Sequence, residues 1–520
     1  MSIQATDLPR KPYIAPTRQI WAWGIGALAT HALIQTFGQA GTIFTVGFGI
    51  SPLIIGWAMM IPRLADAFLD PYLGHLSDNT KSRWGRRKPY LIIGAVLGAI
   101  LLNVVWWANP AWSPTATLIY LGVFGTLFYI CYGLYTMAWT AVGYELTDDY
   151  NERSKVAAVA AFFLALVALS SAWIYRIALM PIFGHNKIVD GKLVGDEIVG
   201  IRWIAAGAAV IIVTAAVIAA SNCKERFTHT NRKHEALFPA LKTTLQNRPF
   251  VILLLIKVCQ LLGERLAGAL LGFLAIYYVC HSDKTFATEI TGIGGTIGLV
   301  WNFALLPFLK PISVKFGKRS ALICGAAISL AAAAIQPFIL NPHYPYLLLI
   351  PALILAPLML IANTLANAVV PDICDVDELA TGQRREGLFT SVMGFMAKLE
   401  ISLCTLLTGY IVVWAGLDVK LVGPQPQHVL DKLYWLAIIP NIIFSLGAFM
   451  LTLKFPMTEE SMKEVRRQLD ERHHAIPESA PDNEAPDADV EPWVQAEADA
   501  DAVAPVHVAV VGALDEKPKG

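Results

Sequence analysis

Asp66 and Asp70 stand four residues apart inside an apolar run that continues into Gly74, Asp78 and a basic stretch holding Arg83, Arg86, Arg87 and Lys88. On a helix this spacing leaves the two carboxylates about 40° apart around the axis and one turn apart along it, so they can converge on one ligand. Two neighbouring carboxylates in a low-dielectric medium do not both stay charged unaided. They call for a bound cation, a cationic partner such as Arg63, or a proton. Asp66 precedes Asp78 by about 18 Å of helix, which sets it near mid-membrane in a span ending there. Ionisable groups at that depth mark ion or substrate paths. The spacing predicts a cation-binding pair, with an Arg63–Asp66 structural network as the alternative.

The elements that must hold this pair are membrane helices. The chain has 520 residues, of which 55% are hydrophobic and 15% charged, against roughly 25% charged in soluble domains. Its mean hydropathy is +0.53. Apolar runs centred on residues 20–46, 52–77, 90–108, 116–142, 156–180, 201–220, 250–280, 290–309, 321–340, 346–369, 387–415 and 433–455 are long enough to span a bilayer. The expected fold is therefore an all-α, multi-pass membrane protein of twelve transmembrane helices. Lys and Arg collect on alternate loops and at both ends of the chain, so both termini are expected on the cytoplasmic side. Residues 1–18 form a polar cytoplasmic N-terminus with no cleavage site after the first apolar run, so no signal peptide is indicated. The remaining divisions are a six-helix bundle over 19–221, a cytoplasmic linker over 222–249, a second six-helix bundle over 250–456 and a cytoplasmic tail over 457–520. The basic loop after the second run has a degenerate counterpart in Lys310, Pro311, Lys315, Lys318 and Arg319 after the eighth, as an internal repeat would produce. The Ala/Pro/Asp/Glu-rich end of the tail reads as disordered, preceded by a helix over 459–473 that is read as solvated, with an amphipathic helix lying against the cytoplasmic surface as the alternative.

Asp78, Arg83, Arg86 and Arg87 at the membrane edge suggest a gate that pairs with the opposite half when the cytoplasmic side closes; topology determination alone is the alternative. Glu145, Arg153, Arg384, Arg385 and Glu386 belong to the same charge network. Polar and aromatic side chains inside the runs are candidates for a pocket: His31 and Gln35, Tyr132, Tyr135 and Trp139, Gln260 and Glu264, Asn363 and Asn367. Any one of them could equally be an interhelical hydrogen bond. The seven cysteines show no metal-ligand spacing. The sequence holds no P-loop, HExxH or GxSxG motif, which argues against an enzyme, a structural metal or a bound cofactor. Nothing in it points to nucleic acid.

The pattern Asp66-Ala67-(x)2-Asp70-Pro71-(x)2-Gly74-(x)3-Asp78-(x)4-Arg83-(x)-Gly85-Arg86-(x)2-Pro89 resembles the signature of the glycoside–pentoside–hexuronide:cation symporters, the melibiose-permease-like branch of the major facilitator superfamily. The stretches Glu145-Leu146-Thr147-Asp148 and Gly382-Gln383-Arg384-Arg385-Glu386-Gly387, with Lys398, resemble two further regions of that family. The resemblance implies two six-helix halves, alternating access, and symport of a sugar or glycoside with H⁺ or Na⁺ by a monomer in the lipid bilayer, the inner membrane in a bacterium. It implies that Asp66, Asp70 and Lys398 form the cation site and that Trp139 lines the sugar pocket. His31 and Tyr135 replace acidic sugar ligands of the family, Ala161 replaces an arginine, and Tyr132 replaces a threonine of the Na⁺ site. A lysolipid or amphiphile carrier, or less favourably a non-transporting membrane sensor, are the alternatives.

Overall fold

The computed structural model describes residues 13, 15–80, 82–109, 111–147, 149–184, 187–189, 192–223, 243–316, 318–355, 369–383, 385–419, 421 and 425–475. The first half holds α1 (Thr17–Gly38), α2 (Pro52–Asn79), α3 (Lys88–Trp106), α4 (Pro114–Glu145), α5 (Tyr150–Ala178) and α6 (Glu197–Asn222). The second holds α7 (Arg248–Leu274), α8 (Lys284–Phe316), α9 (Lys318–Ile339), α10 (Val370–Thr381), α11 (Glu386–Ala415) and α12 (Gln427–Leu453). A last helix, α13, covers Glu459–Ala475.

Local sequence explains the helix starts. Proline occupies the first turn of α2, α3, α4 and α7, where its missing N–H is harmless. Ser113, Asp196 and Asn247 cap α4, α6 and α7 by accepting from Ala116, Ile198 and Phe250 N–H groups at 3.2, 2.9 and 3.1 Å. Among the described residues eight helices, α2 to α6, α9, α11 and α12, are long and apolar enough to cross a membrane. The polar side chains of α1, namely Thr30, His31, Gln35 and Thr36, dilute its hydropathy, and α7 carries Lys257, Glu264 and Arg265. Of the tenth apolar run, residues 346–355, most of them in the short turns Pro345–Leu349 and Pro351–Leu355, and its last residue, Val369, are described.

Within the first half α1 packs on α5 and α6, α3 on α4 and α6, and α2 on α4. In the second half α12 packs on α7 and α9, and α11 on α7. Two seams join the halves, α2 against α11 and α5 against α8. Small residues make these seams tight. A Cβ at Gly409 would lie 2.5 Å from the Pro52 carbonyl oxygen, and one at Gly295 would lie 2.3 Å from the Ala172 Cβ. All four positions belong to the helix ends remote from the chain termini. At that same end Lys284, opening α8, pairs with Glu197 of α6 at 2.9 Å and donates to the Val46 carbonyl at 3.1 Å.

Three features of the elements lie outside a reading of apolar runs. One is a short antiparallel hairpin, β1 (Lys187–Val189) with β2 (Lys192–Val194), between α5 and α6. Another is a π-helical turn beyond the first helix of each half, Ile43–Gly47 after α1 and Ala275–Val279 after α7. The last is the docking of α13, which the sequence suggests is solvated. Met462, Val465 and Leu469 are buried in one cluster with Phe250, Ile373 and Phe389, and Arg466 pairs with Asp372 of α10 at 2.9 Å.

Candidate functional site

The seam between α2 and α11 carries a cluster of intramembrane charge. Asp66 is fully enclosed, Asp70 is about one-third exposed, and both project from α2 toward Lys398 of α11. The ammonium lies 2.8 Å from Asp66 Oδ2 as an ion pair and donates a hydrogen bond to Asp70 Oδ2. Backbone approach sets this geometry. Gly56 and Gly409 let the ends of α2 and α11 touch, which brings Lys398 of the second half within reach of carboxylates on the first.

The other oxygens of the pair face α4. A Cβ at Gly133 would sit 3.5 Å from Asp66 Oδ1 and 3.8 Å from Asp70 Oδ1, so the absent side chain leaves the carboxylates room on that flank. Arg63 turns to Tyr129, its guanidinium carbon 5.2 Å from the ring centroid. The ion-pair partner of Asp66 is thus Lys398, a residue 332 positions along the chain, while Arg63 one turn away adds its electrostatic attraction. Chemically the site is a two-carboxylate cradle filled by an internal cation. A proton or metal ion at the carboxylates competes with the Lys398 ammonium for the same oxygens.

Two clusters of edge charges pair within their own halves. Glu145 at the end of α4 accepts from Arg86 at 2.9 Å and Arg87 at 2.5 Å. Arg385 forms a two-pronged pair with Asp377, at 2.9 and 2.8 Å. Arg83 and Arg153 are exposed, and Glu386 opens α11. Asp78 lies in the last turn of α2, and Arg384 falls outside the described residues.

The pocket candidates divide by environment. Trp139 stacks on Trp23 at 4.7 Å, and each indole N–H donates to the other's carbonyl at 2.9 Å. The fully buried Tyr135 donates to the Gly26 carbonyl at 2.8 Å. These two side chains tie α4 to α1. His31 has a buried Nδ1 without a hydrogen-bond partner, and Gln35 follows one turn on in α1. Tyr132 packs edge-on to Tyr129, beside the acidic pair. Asn363 and Asn367 lie outside the described residues.

In the second half Gln260 donates to Ser329 of α9 at 2.7 Å, and Ser329 donates to Glu264 at 3.1 Å. Arg265 pairs with Glu400 of α11 at 3.2 Å. Sequence reasoning passed over Gly133, Ser329, Glu400 and the buried Lys257 of α7. Glu400 carried the same signal as Asp66, a charge inside an apolar run, whereas Gly133 and Ser329 carry none without a partner to place them.

A membrane bundle of two helical halves, with a charged site on the seam between them, has the build of a secondary transporter. Comparison with known proteins places the chain more closely. Residues 22–459 match the family described as MFS/sugar transport protein, and the chain belongs to that family. It is 26% identical to the uncharacterized symporter YjmB of Bacillus subtilis (strain 168), over 82% of this chain and 90% of that one. It is 24% identical to the isoprimeverose transporter of Lactiplantibacillus pentosus, over 83% and 86% of the two chains. Among solved structures, the fold is shared with a bacterial homologue of the human lysosomal transporter Spinster in an inward-facing, unoccupied conformation. That match has a TM-score of 0.58 and 12% identity, covering 85% of this chain and 98% of that one. The protein is thus a multi-pass membrane transporter and not an enzyme.

Proposed function

We propose that the protein is a symporter that carries a sugar or glycoside with H⁺ or Na⁺ by alternating access, as a twelve-helix monomer in the bilayer with both termini cytoplasmic. The single observation that carries this reading is Lys398 of the second half seated on Asp66 and Asp70 of the first. A coupling cation at these carboxylates displaces a bond that joins the halves, so ion occupancy and the relative position of the halves become linked. The names of the relatives, a symporter and an isoprimeverose transporter, support the substrate class. His31, Gln35, Tyr132, Gln260, Glu264, Asn363 and Asn367 are the proposed sugar contacts. Trp139 and Tyr135 shape that pocket through the α1–α4 packing. Tight helix approach at the end remote from the termini corresponds, with cytoplasmic termini, to a state closed on the outside.

The test is uptake of labelled sugars and glycosides into vesicles under separately imposed Na⁺ and pH gradients. Wild type should accumulate substrate under one of the two gradients. Asp70→Asn should insert and fold but only equilibrate substrate. Accumulation by Asp70→Asn against a gradient would overturn the assignment.

A further inference from the structure

Glu400 of α11 is a carboxylate that the proposed transport cycle leaves unused. Its side chain is only 3% exposed within a helix of membrane-spanning length, and Arg265 of α7 pairs with it, Nε to Oε1 at 3.2 Å. That oxygen accepts no hydrogen bond among the described residues. Buried polar groups are normally satisfied by hydrogen bonds, as Asp377 is by the two-pronged contact from Arg385. Glu400 is held at one point.

Its partner is solvated quite differently. The Arg265 side chain is 46% exposed, and charged groups in membrane spans face the bundle interior or a water-filled cavity rather than hydrocarbon. The outer part of the guanidinium is thus the pair's route to water. A sealed anion gripped at one point by a cation that reaches water can lose that cation by a side-chain rotation alone. Left by itself in low dielectric, the carboxylate cannot keep its charge. A proton is the ligand that fits, because it cancels the charge and needs no cavity.

The charges on the surrounding elements offer Glu400 no substitute for Arg265. On α7, the Glu264 carboxylate is close enough to repel it. Glu264 is itself attracted by Lys257 and accepts from Ser329 at 3.1 Å, so it keeps a cation and a donor of its own when Arg265 leaves. On α2, Asp66 and Asp70 are held by Lys398, an ammonium that competes with a metal ion and is no ligand to one. On α10, Asp372 and Asp377 pair with Arg466 and Arg385. Helix α12 has no ionisable side chain between Tyr434 and Lys454, and on α11 itself Cys404 follows one turn after Glu400.

We propose that Glu400 is a proton-binding carboxyl of the second half, separate from Asp66 and Asp70, ionised while Arg265 holds it and protonated when Arg265 turns away. The proton comes from the water that reaches Arg265, and the guanidinium stays charged throughout. This goes beyond the symport reading, since it needs the membrane bundle and not the identity of the coupling ion.

Infrared difference spectroscopy of the purified full-length protein tests this through the C=O stretch of a protonated carboxyl. The proteins compared are wild type, Arg265→Gln, Glu400→Gln and the double variant, each confirmed as folded by thermal melting. Arg265→Gln imitates the broken pair, so it should show a carboxyl band at neutral pH that the double variant lacks. In wild type the same band should appear about 1–3 pH units lower than in Arg265→Gln. It should be present by about pH 5, where ordinary carboxyls are still ionised, and absent from Glu400→Gln. The proposal is overturned if Arg265→Gln shows no band at neutral pH, if the double variant keeps it, or if wild type and Glu400→Gln coincide down to that pH. The last comparison decides alone where Arg265→Gln does not fold. Failure of the symport reading shows separately, as absent accumulation in vesicles while the Glu400 band persists.

Discussion

Asp66 and Asp70 are stabilised by one ammonium, and removing it leaves two adjacent carboxylates inside the membrane. Breaking a buried pair in this way costs about 3–5 kcal/mol unless a proton or cation takes the vacated place. Lys398→Met should therefore lower the melting temperature in low-salt neutral buffer, and acid or Na⁺ should restore part of it. Adding Asp70→Asn to Lys398→Met should recover stability without either; if it does not, the three groups do not act as one cluster. A second prediction concerns the space beside the pair. Gly133→Leu should retain membrane insertion but abolish cation-stimulated uptake, because its side chain would enter the flank where both Oδ1 atoms lie. The acidic pair was legible in the sequence because a charge in an apolar run stands out. Lys398 was legible only through the family resemblance, since spacing alone offers Arg63. Arg63 is close in sequence, yet Lys398 is close in space, and only the α2–α11 seam decides between them.

At the scale of elements, α1 and α4 are fastened by the reciprocal Trp23 and Trp139 hydrogen bonds. Trp139→Phe removes one donor and leaves a buried carbonyl with a lost partner, so thermal stability should fall by about 1–3 kcal/mol. A change in sugar affinity with no change in melting temperature would instead place the ring in the pocket. The helix α13 makes a parallel case. Its Arg466 pairs with the nearly buried Asp372, and Arg466→Ala should expose residues 456–475 to limited proteolysis several times faster. Hydrogen bonds from Arg467 and Gln468 hold the Glu464 carboxyl down at about 2, below its ordinary 4.5. A lowered carboxyl contributes fully above the ordinary value and loses that contribution as pH falls toward the lowered one. Arg467 and Gln468 lie on α13 itself, so the helicity of α13 should hold from about pH 8 to pH 5 and fray only in stronger acid, read by circular dichroism of wild type against Glu464→Gln. Hydropathy located the long helices, since burial in lipid demands apolar length. It missed the docking of α13 because Met462, Val465 and Leu469 form a narrow stripe on a helix otherwise rich in charge.

The molecule as a whole is two bundles joined along α2–α11 and α5–α8, and the Lys284 contacts with Glu197 and the Val46 carbonyl latch one end. A charge-assisted bond of this kind contributes about 1.5–3 kcal/mol, equivalent to a factor of roughly 10 to 150 between closed and open populations. Lys284→Gln should shift the molecule toward opening at that end. The readout is faster modification of Ser171→Cys by a membrane-impermeant thiol reagent applied from outside. The linker and the repeated basic loops suggest a two-half design, but which end is closed depends on contacts between residues more than 80 positions apart, such as Glu197 and Lys284. One helix connects these scales. Lys398 and Glu400 lie two residues apart on α11, about 200° around its axis, and hold partners on opposite sides, α2 in one half and Arg265 of α7 in the other. Any rotation of α11 that draws Lys398 off the carboxylates must also drag Glu400 past Arg265. The helix is then built as a torsion bar, and under the symport proposed above an ion arriving at Asp66 and Asp70 would be registered as strain within the far bundle.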